Sequence, residues 1–222
     1  MSTWQYIESN YQYILFLTGE HLWIVTLALV IATLIGVPLG IIITRNEEMA
    51  RKVINVANIL MTIPSIALFG LMLPVLSVVG HGLGKVPAVT ALVLYSQLPI
   101  IRNTYTAIKN VPPPVVNAGR GMGMNRWHLL AEVQIPLALP VILAGLRTAA
   151  VMNIGIAAIA AYIGAGGLGV LIQQGIGRVN EEMILSGALL VSLLAVVVDG
   201  GMALLESLVT PQGLKIQQRR RR

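Results

Sequence analysis

Few residues in this sequence have the type and spacing that catalysis or metal binding requires. His21, His81 and His128 are far apart and the chain has no cysteine, so neither imidazoles nor thiolates cluster as metal ligands. We expect each histidine to lie at an interface or on the surface. The motifs HExxH and GxSxG are absent, as are paired carboxylates on one helix face. We therefore expect no catalytic residue, no metal ligand and no enzyme activity in this chain.

The stretch GAGGLG (164–169) has the GxGxxG pattern of a dinucleotide-binding turn. That function requires a short buried strand before the glycines. Here an apolar stretch long enough to cross a membrane precedes them. We therefore predict that Gly164, Gly166, Gly167 and Gly169 form a flexible turn on the outer side of the membrane, and not a nucleotide site.

Arg147 and Asp199 are charged residues within otherwise apolar stretches. Charges inside a membrane are costly and are usually paired. Each lies about ten residues from the end of its stretch that we assign to the cytoplasm, so at ~1.5 Å per residue their depths are similar. We hypothesise that they pair as a brace between two helices, or that each bonds loop backbone.

The composition indicates a membrane protein. Of 222 residues, 56% are hydrophobic and 11% are charged, and the mean hydropathy is +0.80. Soluble domains have about 25% charged residues. The net charge of +6 is typical of basic cytoplasmic loops, so we expect no nucleic-acid partner. We also expect no cleavable signal peptide, since the N-terminal region lacks a basic leader and a long apolar run.

Five apolar stretches predict an all-α protein with five membrane-spanning helices, because about 20 apolar residues cross the hydrocarbon. Pro64 and Pro74 are expected to kink the second span, where neighbouring helices can satisfy the freed carbonyl groups. The predicted spans cover residues 22–44, 53–79, 86–107, 137–163 and 183–208.

The basic residues predict the orientation. With the N-terminus outside and the C-terminus inside, all 15 lysines and arginines except Lys85 and Arg178 lie on or near the cytoplasmic side, as the positive-inside rule requires. We divide the chain into an external amphipathic segment (1–20), a transmembrane domain (21–208) and a basic cytoplasmic tail (209–222).

The segment 1–20 has the pattern of a surface helix. Ile7, Tyr11 and Ile14 recur at helical spacing, and Trp4 and Tyr6 add rings that suit the headgroup level. We predict an amphipathic helix that lies on the outer membrane surface and anchors the chain.

The polar segment between the third and fourth spans, residues 111–136, is predicted to fold on the cytoplasmic side, and we call it the 111–136 loop. The prolines of VPPP (111–114) end the third span. A first short helix is expected over residues 115–120. Gly121 and Gly123 then permit a tight turn at positive φ.

The second half of the 111–136 loop also contains residues that favour the start of a helix. Asn125 is a suitable N-cap for a second short helix over residues 126–134. Pro136 and Pro140 suit the first turn of the fourth span. The pattern therefore predicts a compact helix–turn–helix and not a mobile loop.

The 111–136 loop also combines small residues with large apolar ones. Ala118, Gly119 and Gly123 would let a side chain of another protein come close, and Met124 and Trp127 stand beside them. Met122 adds a further apolar side chain, with Arg120 and Arg126 at the rim. Two interpretations stay open: a docking surface for a partner, or packing of the loop on its own helices.

The 111–136 loop resembles the cytoplasmic loop of ATP-binding-cassette importer permeases. That pattern reads Glu-Ala-Ala, three residues, Gly, nine residues, Ile-x-Leu-Pro. This chain has Asn117-Ala118-Gly119, Gly123 and the stretch VQIP (133–136) at the same spacing. It departs at Asn117, in place of the acid, and at Gly119, in place of the second alanine. Whether an ion pair of that glutamate has a counterpart here stays open.

Further stretches resemble the glycine betaine/carnitine/choline branch of these permeases. They are TIPSIALFGLMLPVL (62–76), LYSQLPIIRNTYTAI (94–108), PLALPVILAGLRTA (136–149) and IGAGGLG (163–169). The resemblance covers about residues 20–208. Methionine-type permeases share the fold and are the alternative within the class.

The resemblance implies a type I importer permease in the bacterial cytoplasmic membrane, surrounded by lipid. Cytoplasmic ATPase subunits would bind ATP and Mg²⁺, dock on the 111–136 loop and drive alternating access, so the permease itself would need no cofactor. A second permease subunit, identical or related, would complete the pathway. An extracytoplasmic binding protein would deliver osmoprotectant near the turn of residues 164–169, the implied outer gate. The residues implied in coupling are Asn117, Ala118, Gly119, Arg120, Gly123, Met124 and Trp127.

Three alternatives make different demands on the sequence. A secondary transporter or channel would need a titratable relay or inverted repeats. A membrane enzyme would need the catalytic motifs that are absent. A nucleic-acid or lipid anchor would depend on Arg219–Arg222, which already serve as a topology signal.

Overall fold

The computed structural model of the protein describes residues 2–210, and these fold into helices joined by short turns. The predicted all-α class is confirmed, since residues 2–210 contain no strand. The basic tail predicted at 209–222 lies outside the described residues, apart from Val209 and Thr210.

The helices differ widely in length. Within the described residues, the α-helices are α1 (Thr3–Ser9), α2 (Tyr11–Ile42), α3 (Glu47–Thr62), α4 (Ser65–Ser77), α5 (Lys85–Lys109), α6 (Pro113–Gly121), α7 (Arg126–His128), α8 (Ile135–Ile159), α9 (Gly169–Arg178) and α10 (Glu181–Val209). Short 3-10 helices cover Ile43–Arg45 and Ala160–Ile163, and a π-helix covers Leu129–Gln134.

Helix α5 packs against both α2 and α8. Glycines allow the close approach: a Cβ at Gly36 of α2 would lie 2.8 Å from Ile100 Cγ2, and one at Gly40 would lie 2.6 Å from Thr104 Cβ. On α8, a Cβ at Gly145 would lie 2.8 Å from a carbonyl oxygen of α5. Small residues at such contacts are the usual packing device of membrane helices. The glycines therefore position the central helix.

The long helices account for part of the predicted spans. Three helical runs among residues 2–210 are long and apolar enough to cross a membrane: Tyr11–Arg45, Arg126–Ile163 and Glu181–Val209. The pair α3 and α4 would make a fourth if it counts as one span. Helix α5, the predicted third span, is 25 residues long but buries polar side chains such as Ser96 and Gln97. The five-span count and the orientation stay predictions.

The second predicted span (53–79) is not one helix. Helices α3 and α4 meet at an angle of 101°. Pro64 has no N–H and disfavours a helical conformation in the residue before it, so Ile63 is extended, with φ −69° and ψ 125°. The Tyr95 hydroxyl donates a hydrogen bond to the Ile63 carbonyl. At Pro64 the expected kink is a full break, since α3 ends at Thr62 and Pro64 is the N-cap of α4, whereas Pro74 lies inside α4.

The first predicted span lies within a longer helix. Helix α2 runs from Tyr11, so the boundary predicted between residues 20 and 21 falls inside a continuous helix. Gly19 is the weakest helix former near that boundary, and one glycine costs only about 1 kcal/mol relative to alanine. That is too little to end a long helix.

The start of α2 belongs to the core and does not form a separate surface segment. The buried side chains of Ile14 and Leu17 pack with Leu168 and Leu171. The aromatic ring of Trp4 on α1 is 74% exposed. The amphipathic segment predicted at 1–20 therefore divides into the short helix α1, whose Tyr6 and Ile7 pack against the same cluster, and the first turns of α2.

Candidate functional site

The 111–136 loop begins with α6 and turns at Gly123, whose φ of +81° favours glycine. The Gly123 N–H donates to the Arg120 carbonyl at 2.9 Å, and the Met124 N–H donates to the Gly119 carbonyl at 3.1 Å. Gly121 is the last residue of α6 and keeps a negative φ. Of the two glycines expected to form the turn, only Gly123 adopts the left-handed conformation.

Asn125 caps the helix that follows the turn. Its Oδ1 accepts hydrogen bonds from the N–H groups of Trp127 and His128, both at 2.9 Å. The side chain thereby satisfies two of the donors that a helix start leaves free. The predicted cap is confirmed.

The helix after Asn125 does not end at residue 134. It continues from α7 through the π-helix Leu129–Gln134 into α8, as one run of 38 residues, Arg126–Ile163. The prediction of a separate short helix over 126–134 is wrong. Pro136 lacks the N–H that would bond the carbonyl four residues earlier. The wider π-helical turn before it accommodates the proline without a break.

Gly119 is packed inside the 111–136 loop. It is buried, and a Cβ there would lie 2.7 Å from Leu129 Cδ1 and 3.3 Å from Met124 Sδ. The small side chain therefore makes room for the loop's own residues. The packing interpretation describes Gly119 in this structure, and its part in docking stays a prediction.

Other residues of the 111–136 loop do form an exposed surface. Met122 is 72% exposed and Trp127 is 67% exposed, while Asn117 and Ala118 are also exposed. Large exposed apolar side chains with arginine nearby are typical of binding surfaces. The structure therefore divides these residues: Gly119 and Met124 pack inward, and Met122 and Trp127 are exposed. Docking of a partner on the exposed residues stays a prediction.

Arg45 joins the 111–136 loop to the end of α2, a contact that the sequence analysis missed. Its guanidinium carbon lies 5.5 Å from the centre of the Trp127 ring, within the range of a cation–π interaction. The two residues are far apart in sequence. Neither their types nor their spacing indicates that they meet.

Arg147 and Asp199 form a bidentate ion pair between α8 and α10. Arg147 Nε lies 2.5 Å from Asp199 Oδ1, and the second nitrogen lies 2.6 Å from Oδ2. The pairing hypothesised from depth is therefore present as a contact, and its role as a brace stays a prediction. Paired N–H donors and carboxylate oxygens make the strongest type of side-chain hydrogen bond.

Glu206 is a third member of this group and was missed. Its carboxylate lies 3.7 Å from the other terminal nitrogen of Arg147. Asp199 and Glu206 are seven residues apart, a spacing that places them on one helix face two turns apart. That spacing could have indicated the third member.

The glycine turn, residues 164–169, takes the backbone conformation that its composition predicts. Gly164, Gly166 and Gly167 have φ values of +79°, +87° and +79°. Gly169 begins α9, and a Cβ there would lie 1.9 Å from the Ala158 carbonyl oxygen. Each glycine is required, three for conformation and one for the closeness of α9 to α8.

The expectation that this turn is flexible is corrected by its contacts. The carboxylate of Glu20 accepts a hydrogen bond from the Gly167 N–H at 3.3 Å and binds Lys85 Nζ at 2.7 Å. Ala165 and Leu168 are almost fully buried. Segments that move locally have few buried contacts, and this turn has many.

His21 is buried, contrary to the expectation of an interfacial position. It has no exposed surface, and its Nε2 lies 3.1 Å from the Ile154 carbonyl oxygen. Nearby, buried Asn153 donates to the Ser96 hydroxyl at 2.8 Å. These polar contacts link α2 and α5 to α8 inside the helix bundle. No spacing in the sequence indicates that these residues meet.

The comparisons with known proteins agree with this architecture. A family described as the binding-protein-dependent transport system inner membrane component matches residues 36–211. The chain belongs to this family. The matched region runs from α2 to the end of α10, so it includes the 111–136 loop, the ion pair and the glycine turn.

Two curated relatives of this permease are similar over nearly their whole length. The osmoprotectant import permease protein OsmW of Salmonella typhimurium is 53% identical, covering 97% of this chain and 100% of that protein. The glycine betaine/carnitine/choline transport system permease protein OpuCB of Bacillus subtilis is 43% identical, covering 95% and 94%.

A solved structure supports the fold. An inward-facing structure of the MetNI methionine ABC transporter has a TM-score of 0.81 at 25% identity, covering 89% of this permease and 96% of that chain. The importer permease fold that the resemblance implied is therefore confirmed.

Proposed function

We propose that this permease is the membrane subunit of an ATP-driven importer of osmoprotectants of the glycine betaine, carnitine and choline type. The observation that carries the proposal is the full-length similarity to the Salmonella osmoprotectant import permease. The methionine-transporter likeness is an argument for the fold alone, because it is weaker in sequence.

In this proposal, ATPase subunits dock on the exposed face of the 111–136 loop and supply the ATP and Mg²⁺ chemistry. Met122 and Trp127 are apolar anchors, with Ala118 and Asn117 beside them. The loop continues without a break into α8. A displacement of the loop by the ATPases is therefore transmitted directly along a spanning helix.

The other partners follow from the same division of labour. A second permease subunit completes the pathway, and a substrate-binding protein delivers osmoprotectant at the outer end, near the glycine turn. The chain then spans the bacterial cytoplasmic membrane several times. The ion pair of Arg147 and Asp199 holds α8 to α10 while the pathway opens and closes.

The substrate is tested by reconstitution. The permease, its ATPase subunits and its binding protein are placed in proteoliposomes with ATP inside, and uptake of labelled glycine betaine, choline, carnitine and methionine is measured. We expect ATP-dependent uptake of the quaternary ammonium compounds. Uptake of methionine alone would assign the permease to the methionine branch, and uptake driven by an ion gradient without ATP would contradict the proposal.

The role of the loop is tested at Gly123. Valine is strained at a φ of +81°, whereas asparagine tolerates the left-handed region. We expect Gly123→Val to insert normally but to lose ATP-driven uptake and substrate-stimulated ATPase activity, and Gly123→Asn to retain most of both. Full activity of the valine variant would refute the assignment of this turn to coupling.

A further inference from the structure

A cavity of about 320 Å³ lies between the end of α2 and the 111–136 loop. Three arginines line it, and we call it the arginine pocket: Arg45, Arg120 and Arg126. Ile41 and Leu129 give it an apolar wall. The pocket thus combines clustered positive charge with a hydrocarbon surface.

The charge of the arginine pocket is not neutralised within the described chain. Two lysines on the same side of the bundle do have carboxylate partners: Lys52 with Glu48 at 2.7 Å, and Lys109 with Glu47 at 3.2 Å. Among residues 2–210, none of the three pocket arginines forms an ion pair. Three guanidinium groups around one cavity repel each other unless an anion lies between them.

Asn117 does not reduce this excess of positive charge, because its side chain is neutral. It lines an adjoining cavity of about 290 Å³ together with Lys109 and Arg120. The importer loop pattern has an acid at this position, and here the side chain is neutral. Arg120 therefore lacks the carboxylate that the pattern places three residues before it.

The position of the pocket selects the type of anion. Arg45 directly follows the predicted first span, residues 22–44, so it is expected at the headgroup level on the cytoplasmic side. Guanidinium groups bind phosphate through paired N–H donors. Basic pockets beside spanning helices bind anionic lipid headgroups, and the apolar wall suits the start of an acyl chain.

We propose that the arginine pocket binds the phosphate group of an anionic phospholipid such as phosphatidylglycerol. The lipid fixes the 111–136 loop to the end of α2, because Arg45 lies on the helix and the other two arginines lie on the loop. This site is independent of which substrate the permease transports.

Trp127 provides a local probe, since its ring lies 5.5 Å from the Arg45 guanidinium carbon. Substitutions Trp4→Phe and Trp23→Phe leave it as the sole tryptophan of this chain, and the partner subunits are used with their tryptophans replaced by phenylalanine. The assembled transporter is placed in nanodiscs that contain equal fractions of brominated phosphatidylglycerol or brominated phosphatidylcholine, and quenching is compared within each variant. We expect stronger quenching by the anionic lipid.

Variants that change the charge of the pocket show whether the arginine pocket causes the preference for the anionic lipid. Arg45→Gln combined with Arg126→Gln should at least halve the preference for the anionic lipid, while Lys at both positions should retain most of it. Arg51→Gln is the matched control, because Arg51 is exposed on α3 and does not line the cavity. If the lysine variant keeps the preference for the anionic lipid, the loss in the glutamine variant is due to the missing charge and not to misfolding.

Three outcomes would overturn the proposal. Equal quenching by the two lipids would show that no anionic lipid is selected. Loss of the preference on adding inorganic phosphate would assign the pocket to a soluble anion. A preference seen in the permease without ATPase subunits but absent from the assembled transporter would assign the arginines to the ATPase contact.

Discussion

The glycine turn lies at the end of the bundle that is predicted to face outward, called the outer end here, and it is held from several sides. The 111–136 loop lies at the opposite end, which is predicted to face the cytoplasm and is called the inner end, and it keeps a large exposed face. Glu20 bonds the backbone of the turn and Lys85 at once, and α9 lies against the backbone of α8. At the inner end, Met122 and Trp127 are mostly exposed.

The difference separates two uses of glycine. In the turn, Gly167 lies against His21 of α2 and Gly169 lies against the Ala158 backbone of α8, so closely that neither position has room for a side chain. In the loop, a Cβ at Gly121 or Gly123 would meet no atom within 4 Å, and only Gly119 is packed. The outer segment is built to be rigid, while the inner segment is built around one turn and leaves its surface free.

The largest expected effect is at Gly169. A Cβ there would lie 1.9 Å from the Ala158 carbonyl oxygen, which is backbone and cannot rotate away. Gly169→Ala should therefore destabilise the bundle by about 3 kcal/mol or more, seen as a lower unfolding temperature in detergent and a smaller folded yield. Gly177→Ala is the control in the same helix, because its Cβ would meet no atom within 4 Å. Equal stability of the two variants would show that the outer end is not tightly packed.

The next largest effect is expected at the ion pair, where a substitution tests whether the rigid region extends along α8 and α10. Asp199→Asn removes the charged partner of Arg147 and leaves only Glu206, at 3.7 Å. We expect a lower unfolding temperature and reduced transport. Glu206→Gln should change both less, since its contact is longer than a hydrogen bond. If Asp199→Asn left unfolding and transport unchanged, the brace would be contradicted.

These two regions also differ in how far the sequence predicts them. Asn125 and Gly123 act on their own neighbours, so residue type alone indicated the cap and the turn. The pairing of Arg147 with Asp199 could be predicted because the two residues lie at similar distances from the cytoplasmic ends of their predicted spans. The bond from the Gly167 N–H to Glu20 joins residues 147 apart, and nothing local in either segment indicates it.

The same reasoning explains the errors in the helices. The break at Pro64 and the continuity past Pro136 involve the same residue type with opposite outcomes. At Pro64 the Tyr95 hydroxyl bonds the exposed carbonyl before the proline, and at Pro136 a π-helical turn absorbs the missing donor. Which outcome occurs depends on packing from distant residues, and periodicity does not report it.

A smaller effect is expected inside the 111–136 loop. Gly119→Ala would bring a Cβ to 2.7 Å from Leu129 Cδ1, the end of a flexible side chain that can rotate. We expect the protein to fold with little loss of stability but with reduced ATPase stimulation, because the loop surface shifts. Gly121→Ala has open space and should match the unsubstituted protein. Unchanged stimulation in Gly119→Ala would mean that the inner end tolerates repacking.

The smallest effect is at the Asn125 cap. Asn125→Ala removes both acceptor contacts at the start of the helix and should cost about 1 kcal/mol locally. The global unfolding temperature should barely change, because the helix continues into α8 and is stabilised there by packing. Hydrogen exchange should therefore accelerate at the amides of Trp127 and His128, and not in α8.

Asn125→Asp is the matched control, since an aspartate oxygen can accept the same two hydrogen bonds. It should protect both amides as asparagine does. Exchange that stays slow in the alanine variant would mean that neighbouring contacts, such as Arg45 on the Trp127 ring, hold the helix start without its cap. Exchange that spreads through the π-helix into α8 would mean that the inner end is less firmly joined to the bundle than its continuous helix implies. In that case the contrast with the outer end would extend into the spanning helix itself.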